Sequence, residues 1–160
     1  MYEKTVCAIY KRRGVMKALC VLDKFFCALI YALFAYICLK SFLADVLLGV
    51  KVILSCFIPF VAVSIIRAKI NSPRPKQVCR FDGFTPSCRD GKSFPSRHAF
   101  SAFCISTVSV FIALPFGIAG MIVAALICAI RVLLGYHFVR DVVAGGIIGI
   151  ISGVLGALLF

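Results

Sequence analysis

The sequence predicts an all-α protein, a multi-pass transmembrane helical bundle of about five spans. The chain is 62% hydrophobic and its mean hydropathy is +1.08, well above the values typical of a soluble domain. A membrane-spanning helix needs about 20 mostly apolar residues, and the chain supplies five stretches of that kind. A transmembrane barrel would need many short alternating segments instead, so we expect no strands.

The five predicted spans alternate with short polar connections. They are placed at roughly 18–39, 43–66, 98–114, 118–136 and 141–160. The first contains Asp23 and Lys24 near one end, where long side chains reach the interface, and the fourth contains Arg131 near its end. The basic segment 1–17 precedes a full-length span without a small-residue cleavage site. We therefore predict one membrane-embedded domain over residues 1–160, with 67–97 as its long polar loop.

The net charge of +12 is unevenly distributed. Residues 67–97 contain eight of the 18 basic residues, and residues 1–24 contain six more. Nucleic acid is excluded as a partner because no soluble domain carries this charge. The basic residues suit positive-inside topology and anionic lipid headgroups, and the middle cluster also suits a phosphorylated ligand.

The nine cysteines are scattered and form no C-x-x-C pair. Six fall in predicted spans, where cysteine behaves as a small hydrophobic residue. Cys79 and Cys88 flank a polar loop, so they either remain free thiols or form a disulfide if that loop faces an oxidising compartment.

The first polar motif follows the second span. Proline pushes its preceding residue out of the helical region, so the prolines at 73 and 75 predict a helix end near Asn71. If the helix persisted, Arg67 and Arg74 would face one side, two turns apart. Alternatively, both arginines anchor the span end at the interface.

The second motif leads into the third span. Ser96 is a good N-cap residue, which places Arg97 and His98 in the first helical turn. Free backbone N–H groups and the positive end of the helix dipole make such a turn a natural phosphate site. Ser96 can also serve as a cap alone.

The third motif follows the fourth span. Arg131 lies near the end of an apolar helix, where an unpaired charge is costly. His137 and Asp141 are four apart and would share a helical face. A carboxylate there fixes the imidazole tautomer and stabilises its cation. The alternative is a structural histidine.

Together the three motifs resemble the signature of the type 2 phosphatidic acid phosphatase superfamily, which also includes glucose-6-phosphatase and the vanadium haloperoxidases. The family patterns are K-x6-R-P, P-S-G-H and S-R-x5-H-x3-D. The matching segments, in the same order, are 67–75, 95–98 and 130–141, and span arrangement extends the likeness to about 40–160. Three positions depart from the pattern: Arg67 replaces lysine, Arg97 replaces glycine and Ile130 replaces serine.

The resemblance implies a phosphohistidine mechanism without metal or cofactor. By analogy His137 attacks phosphorus, Asp141 orients it, and His98 protonates the leaving oxygen. The remaining predicted site residues hold the phosphate; they are Arg67, Arg74, Ser96, Arg97 and Arg131. None of the three departures removes a proton carrier or the nucleophile, so we expect an active enzyme.

Three function classes remain open at this stage. The favoured one is a lipid phosphate phosphatase acting on phosphatidic acid, phosphatidylglycerophosphate or a polyprenyl diphosphate. The others are a lipid phosphotransferase and a non-catalytic phospholipid-binding membrane protein. Haloperoxidase activity is excluded because the chain lacks the large soluble scaffold of those enzymes.

Sidedness and assembly are predicted less directly. Five spans place the N-terminus and the predicted catalytic loop, residues 67–97, at the same membrane face. The basic N-terminus indicates that this face is cytoplasmic, whereas family analogy favours the outer face. Small residues recur every fourth position from Gly145 to Ala157. Such a stripe allows close helix approach; we expect it to pack within a monomer rather than at a dimer interface.

Overall fold

The computed structural model describes residues 2–78 and 91–158, with side chains from residue 6 onward. Helices account for nearly all of these residues, and the described ranges contain no strand. The elements are α1 Tyr2–Lys11, α2 Arg13–Ala44, α3 Val46–Ile70, α4 Pro75–Val78, α5 Arg97–Ile112, α6 Leu114–Leu133 and α7 Val139–Ala157. The predicted all-α transmembrane bundle is confirmed. The possible Cys79–Cys88 disulfide lies outside the described residues.

Four helical segments are long and apolar enough to cross a membrane. They contain α2, α3, α6 and α7. The stretch predicted as the third span forms α5, an apolar helix of only 16 residues. Nine of those residues are buried, because α5 lies inside the bundle and contacts α2, α3, α6 and α7. Surrounding helices, rather than lipid, cover most of its length.

Local chemistry sets several of the helix ends. Asp45 has extended backbone angles between α2 and α3, and its carboxylate accepts a hydrogen bond from the Leu48 N–H at 3.1 Å, as an N-cap does. Asn71 closes α3 in the left-handed region with φ 44°, which confirms the predicted end. Pro115 lies in the first turn of α6, where a missing N–H costs nothing.

The core of the bundle is built around α5. Phe100, Cys104 and Val108 lie along this helix and are almost completely buried. They pack in one cluster with Ile37 of α2 and Val52 of α3, among others. In a bilayer, such side chains hold helices together by close van der Waals packing rather than by exclusion of water. The core therefore fixes α5 rigidly against its neighbours.

The small-residue stripe of α7 packs against α5. A Cβ added to Gly145 would lie 2.5 Å from the Ser96 carbonyl oxygen, and one added to Gly149 would lie 2.4 Å from that of Phe100. These distances are far below van der Waals contact, so the two backbones meet directly. The stripe is used within the chain, as predicted, while the oligomeric state stays a prediction.

The N-terminal segment 1–17, predicted only as a basic stretch, contains a helix that packs against the bundle. Val6 and Tyr10 of α1 are buried beside Ile130 and Leu134. The Tyr10 hydroxyl donates a hydrogen bond to the Leu134 carbonyl at 2.8 Å. The N-terminal helix therefore lies at the same end of the bundle as the C-terminus of α6, as the four predicted spans between them require.

Candidate active site

All the predicted site residues gather at one end of the bundle. The C-terminal ends of α3 and α6 meet the N-terminal ends of α5 and α7 there. Hydrogen bonds to backbone carbonyls join the three motifs. The Ser96 N–H donates to the Asp141 carbonyl at 3.0 Å, and the Arg67 side chain donates from Nη1 to the Pro95 carbonyl at 3.3 Å. The structure thus brings together three segments that lie between residues 67 and 141 of the sequence.

His137 lies in the connection between α6 and α7, not on a helix. The two catalytic candidates therefore do not share a helical face, and that part of the sequence argument is wrong: α7 begins only at Val139. Asp141, in the first turn of α7, nevertheless approaches His137, with Nδ1 and Oδ2 3.7 Å apart. The same Oδ2 accepts a hydrogen bond from the Phe138 N–H at 3.1 Å, which fixes the carboxylate.

Ser93 joins the pair and was not predicted. Its hydroxyl donates to Asp141 Oδ2 at 2.5 Å and lies 3.3 Å from His137 Nδ1. Ser93 is fully buried, and its backbone N–H donates to the Ser72 carbonyl at 2.8 Å. A loop serine carries no spacing signal, so only the folded geometry identifies it.

The charge state of His137 follows from its surroundings. Burial lowers the pKa of His137 below its ordinary value of 6.5; the hydrogen bond with Asp141 opposes this, and the positive charges of Arg74, Arg67 and Arg131 add to it. The imidazole is therefore neutral near neutral pH. With Nδ1–H directed at the Ser93–Asp141 pair, Nε2 keeps its lone pair.

His98 has a different partner. Its Nδ1 lies 2.8 Å from Nη1 of Arg131. A guanidinium is a donor only, so His98 Nδ1 must accept, and the proton of a neutral imidazole sits on Nε2. Ser96 caps the helix that carries His98, because its Oγ accepts from the Ala99 N–H at 3.5 Å. The predicted N-cap is confirmed.

Arg131 is paired with Asp23. Its Nη2 donates to Asp23 Oδ2 at 2.9 Å and lies 3.6 Å from Cys27 Sγ. The sequence predicted that Asp23 can reach the membrane interface; in the structure its carboxylate is buried against Arg131. Helix α2 begins at Arg13, so Asp23 lies nearly three turns inside it rather than at its end.

Arg67 and Arg74 line one cavity although no helix connects them. The left-handed Asn71 ends α3 between them, so the two-turn argument does not hold. Arg74 is held by backbone oxygens, donating from Nε to Gly91 at 3.1 Å and from Nη1 to Tyr136 at 3.1 Å. The basic cavity has a volume of about 260 Å³ and is lined by Ser64, Arg67, Ala68, Arg74, Gly91, Lys92 and Arg97.

Arg97 also borders a second, mostly apolar cavity. This apolar cavity has a volume of about 140 Å³ and is lined by Cys27, Ile30, Tyr31, Phe60, Arg97, His98, Ser101, Ala102 and Ile127. The Arg97 guanidinium lies 5.8 Å from the centre of the Phe60 ring, within cation–π range. Arg97 therefore separates a basic compartment from an apolar one.

The described ranges, 2–78 and 91–158, contain no cluster of three or more His, Cys, Asp or Glu side chains suited to a metal ion. The cationic groups at the site are the guanidiniums of Arg67, Arg74, Arg97 and Arg131, with the ammonium of Lys92. That the reaction proceeds without metal stays a prediction.

The model of the PAP2 superfamily matches residues 25–160 of the sequence. The chain belongs to the PAP2 superfamily. No curated protein matched the chain in a sequence comparison. Family membership supports the coarse assignment of a membrane lipid phosphatase.

Two crystal structures resemble this PAP2 protein. One is a transmembrane PAP2-type phosphatidylglycerolphosphate phosphatase from Bacillus subtilis, with a TM-score of 0.75 and 21% identity, covering 99% of this chain and 83% of that one. The other is LpxE from Aquifex aeolicus, with a TM-score of 0.65 and 30% identity, covering 88% of this chain and 87% of that one. The first likeness shows the fold, and the second also supports the family.

Proposed function

We propose that the protein is an integral-membrane lipid phosphate phosphatase acting through a phosphohistidine intermediate without metal. Its substrate is a phosphomonoester or diphosphate of a lipid: phosphatidic acid, phosphatidylglycerophosphate or a polyprenyl diphosphate. One observation carries the proposal. His137 has Nδ1 held by Ser93 and Asp141, which leaves Nε2 as the nucleophilic nitrogen.

In the first step, His137 Nε2 attacks phosphorus and the bond from phosphorus to the lipid oxygen breaks. His98 donates its Nε2 proton to the departing oxygen and becomes an imidazolate, whose negative charge the Arg131 guanidinium at Nδ1 stabilises, so the lipid leaves as an alcohol or, from a diphosphate, as a monophosphate. Asp141 stabilises the positive charge that develops on His137. The histidine is left covalently bonded to the phosphoryl group.

In the second step, water hydrolyses the phosphohistidine. His98 takes a proton from the water, the oxygen attacks phosphorus, and the phosphorus–nitrogen bond breaks to release inorganic phosphate. Arg67, Arg74 and Arg131 stabilise the negative charge on the phosphoryl oxygens in both transition states. Ser96 and the first-turn N–H groups of α5 complete the predicted phosphate site.

An amphiphilic substrate suits the two cavities. The basic cavity borders Arg67 and Arg74, whereas the apolar cavity borders His98. A lipid phosphate has a charged head for the first and a hydrocarbon chain for the second. A water-soluble phosphate ester would leave the apolar walls unused.

The test is phosphate release by purified protein in detergent, across a panel of lipid phosphates, with EDTA present and no acceptor added. We expect release of inorganic phosphate and, after rapid quenching with radiolabelled substrate, an acid-labile, alkali-stable phosphoprotein. His137→Asn should abolish both signals while still inserting into membranes. Full phosphate release by His137→Asn would refute the proposal.

The same experiment separates the phosphotransferase alternative. A transferase releases little phosphate until a lipid or sugar alcohol is added, and the phosphate then appears on that acceptor. Release without acceptor supports hydrolysis. A stable phosphoprotein that discharges only to an added alcohol would favour the alternative.

We also propose that the site faces the outer side of the cytoplasmic membrane, on family analogy and against the positive-inside expectation. A membrane-impermeant maleimide applied to intact, reduced cells tests this, because Cys79 and Cys88 belong to the catalytic loop. We expect the protein to be labelled in intact cells. The double variant Cys79→Ser/Cys88→Ser gives the background signal. Labelling only after the cells are opened would place the site on the cytoplasmic side.

A further inference from the structure

Helix α2 contributes a charged side chain to the site, although it contains none of the three motifs. Asp23 precedes residue 25, where the family match begins. Its carboxylate is buried and pairs with Arg131 at 2.9 Å. A buried carboxylate within an apolar helix is costly, so its retention calls for a role.

The guanidinium of Arg131 bridges two groups. One terminal nitrogen, Nη2, is held by Asp23, and the other, Nη1, lies 2.8 Å from His98 Nδ1. The planar fork fixes the angle between its two nitrogens. Holding Nη2 therefore sets the position of Nη1, and Nη1 sets the tautomer of His98.

The arrangement of these contacts distinguishes a positioning role for Asp23 from one that only neutralises the charge of Arg131. A counter-ion could neutralise Arg131 from any side, whereas Asp23 lies on the terminal nitrogen that does not meet His98. The Arg131 guanidinium also lies 5.9 Å from the Tyr136 ring, in the connection that carries His137. Arg131 thus lies between the surroundings of the two histidines.

We propose that Asp23 is a positioning residue: through Arg131 it orients His98 and keeps its proton on Nε2. The catalytic consequence rests on the proposed function, because it takes His98 as the acid. The effect of Asp23 on the orientation and tautomer of His98 does not depend on the proposed function. Helix α2 thereby takes part in the chemistry through one carboxylate.

The decisive measurement is ¹⁵N NMR of histidine-labelled full-length protein in detergent micelles. The chain has only two histidines. The ring-nitrogen signals that disappear in His137→Asn are assigned to His137, and those that remain are assigned to His98. In the wild type we expect His98 with protonated Nε2 and a hydrogen-bonded Nδ1. In Asp23→Asn, the His98 ring signals should shift, with those of His137 unchanged.

Asp45→Asn is the matched control, because it removes a carboxylate that caps α3 at the end of α2 far from the site. It should leave both histidine spectra unchanged. Unchanged His98 signals in Asp23→Asn would overturn the proposal, and so would equal shifts of both histidines, which indicate general rearrangement. If Asp23→Asn fails to fold, Asp23→Glu replaces it: a smaller His98 shift supports the proposal, and none overturns it.

Kinetics give the second readout. Asp23→Asn should lower kcat by about 10- to 100-fold, as small misplacements of catalytic groups do, with a smaller change in KM because Arg131 remains charged. Asp23→Glu should recover part of kcat. Unaltered kcat in a folded Asp23→Asn would overturn the catalytic role. If wild-type protein releases no phosphate from any lipid, the proposed function fails, whereas the ring-nitrogen signals still decide the role of Asp23.

Discussion

The two histidines of the site are held in opposite ways. His137 has a hydroxyl and a carboxylate at Nδ1, whereas His98 has a guanidinium there. The first arrangement makes Nδ1 a donor and leaves a lone pair on Nε2. The second makes Nδ1 an acceptor and leaves a proton on Nε2. A negative group at Nδ1 thereby prepares His137 as the nucleophile, and a positive group at Nδ1 prepares His98 as the acid.

The difference teaches that role assignment depends on the partner of Nδ1, not on the histidine. Both rings lie at the same end of the bundle, close to the same arginines. Exchange of partners would exchange the tautomers. Substitution of either ring, or of the group that contacts its Nδ1, should therefore affect one histidine and not the other.

The largest expected effect separates acid from nucleophile by leaving group. His98→Ala should slow hydrolysis of an alkyl lipid phosphate by about 100- to 10,000-fold, the usual contribution of a general acid. With a phosphate monoester of a nitrophenol that carries an alkyl chain of matched length, the first step needs no acid, so phosphoprotein should accumulate in rapid-quench experiments.

His137→Ala is the control, because it should form no phosphoprotein with either substrate. Equal losses for both leaving groups in His98→Ala, without accumulation of phosphoprotein, would contradict the division of roles between the histidines.

Removal of the hydroxyl behind His137 should have the next largest effect. Ser93→Ala deletes a hydrogen bond to a carboxylate, worth about 1.5–3 kcal/mol, which corresponds to roughly a 10- to 100-fold loss in kcat. Ser109→Ala is the matched control, since Ser109 is equally buried but bonds only its own helix, at the Ile105 carbonyl. Similar kcat values in the two variants would remove Ser93 from the site.

The pH dependence of kcat/KM reports the nucleophile. His137 must be neutral to attack, so activity falls as protonation sets in at low pH. Because burial lowers its pKa, the acid limb should have its midpoint below pH 6.5, the ordinary histidine value. Asp141→Asn removes the hydrogen bond that raises this pKa, so it should move the limb further down. A wild-type limb above pH 6.5, measured in detergent at constant ionic strength, would contradict this.

The smallest effect is expected at the boundary between the cavities. Arg97→Gly restores the usual family residue and removes a guanidinium from the basic cavity. We expect KM to rise about three- to tenfold, the equivalent of one modest hydrogen bond, with kcat nearly unchanged. Steady-state kinetics with a lipid diphosphate and its monophosphate decide it, and a loss confined to kcat would place Arg97 among the catalytic groups instead.

Much of this site was predictable because span ends carry strong local signals. Prolines after Arg67 predicted where α3 ends, and Ser96 predicted where α5 begins, since both effects act within a few residues. The order and spacing of the motifs then indicated which ends meet. The family resemblance supplied roles that composition alone could not.

The missed features depend on contacts across the bundle. Asp23 looked interfacial because hydropathy places span ends only approximately, and the helix extends ten residues before it. Ser93 and Asp141 meet only after the loop folds against α7. The proximity of His137 and Asp141 was expected for the wrong reason, because a helical period was assumed where the chain forms a connection.

The glycines of α7 have a mechanical consequence for the chemistry. His98 lies in the first turn of α5 and His137 lies two residues before α7, and the two helices touch backbone to backbone at Gly145 and Gly149. With no side chains between them, the gap between acid and nucleophile is set by incompressible main-chain contact. Lateral pressure in the bilayer can push the helices together, but it cannot narrow this gap further. The protein thus carries its own spacer, made of residues that contribute no side chain.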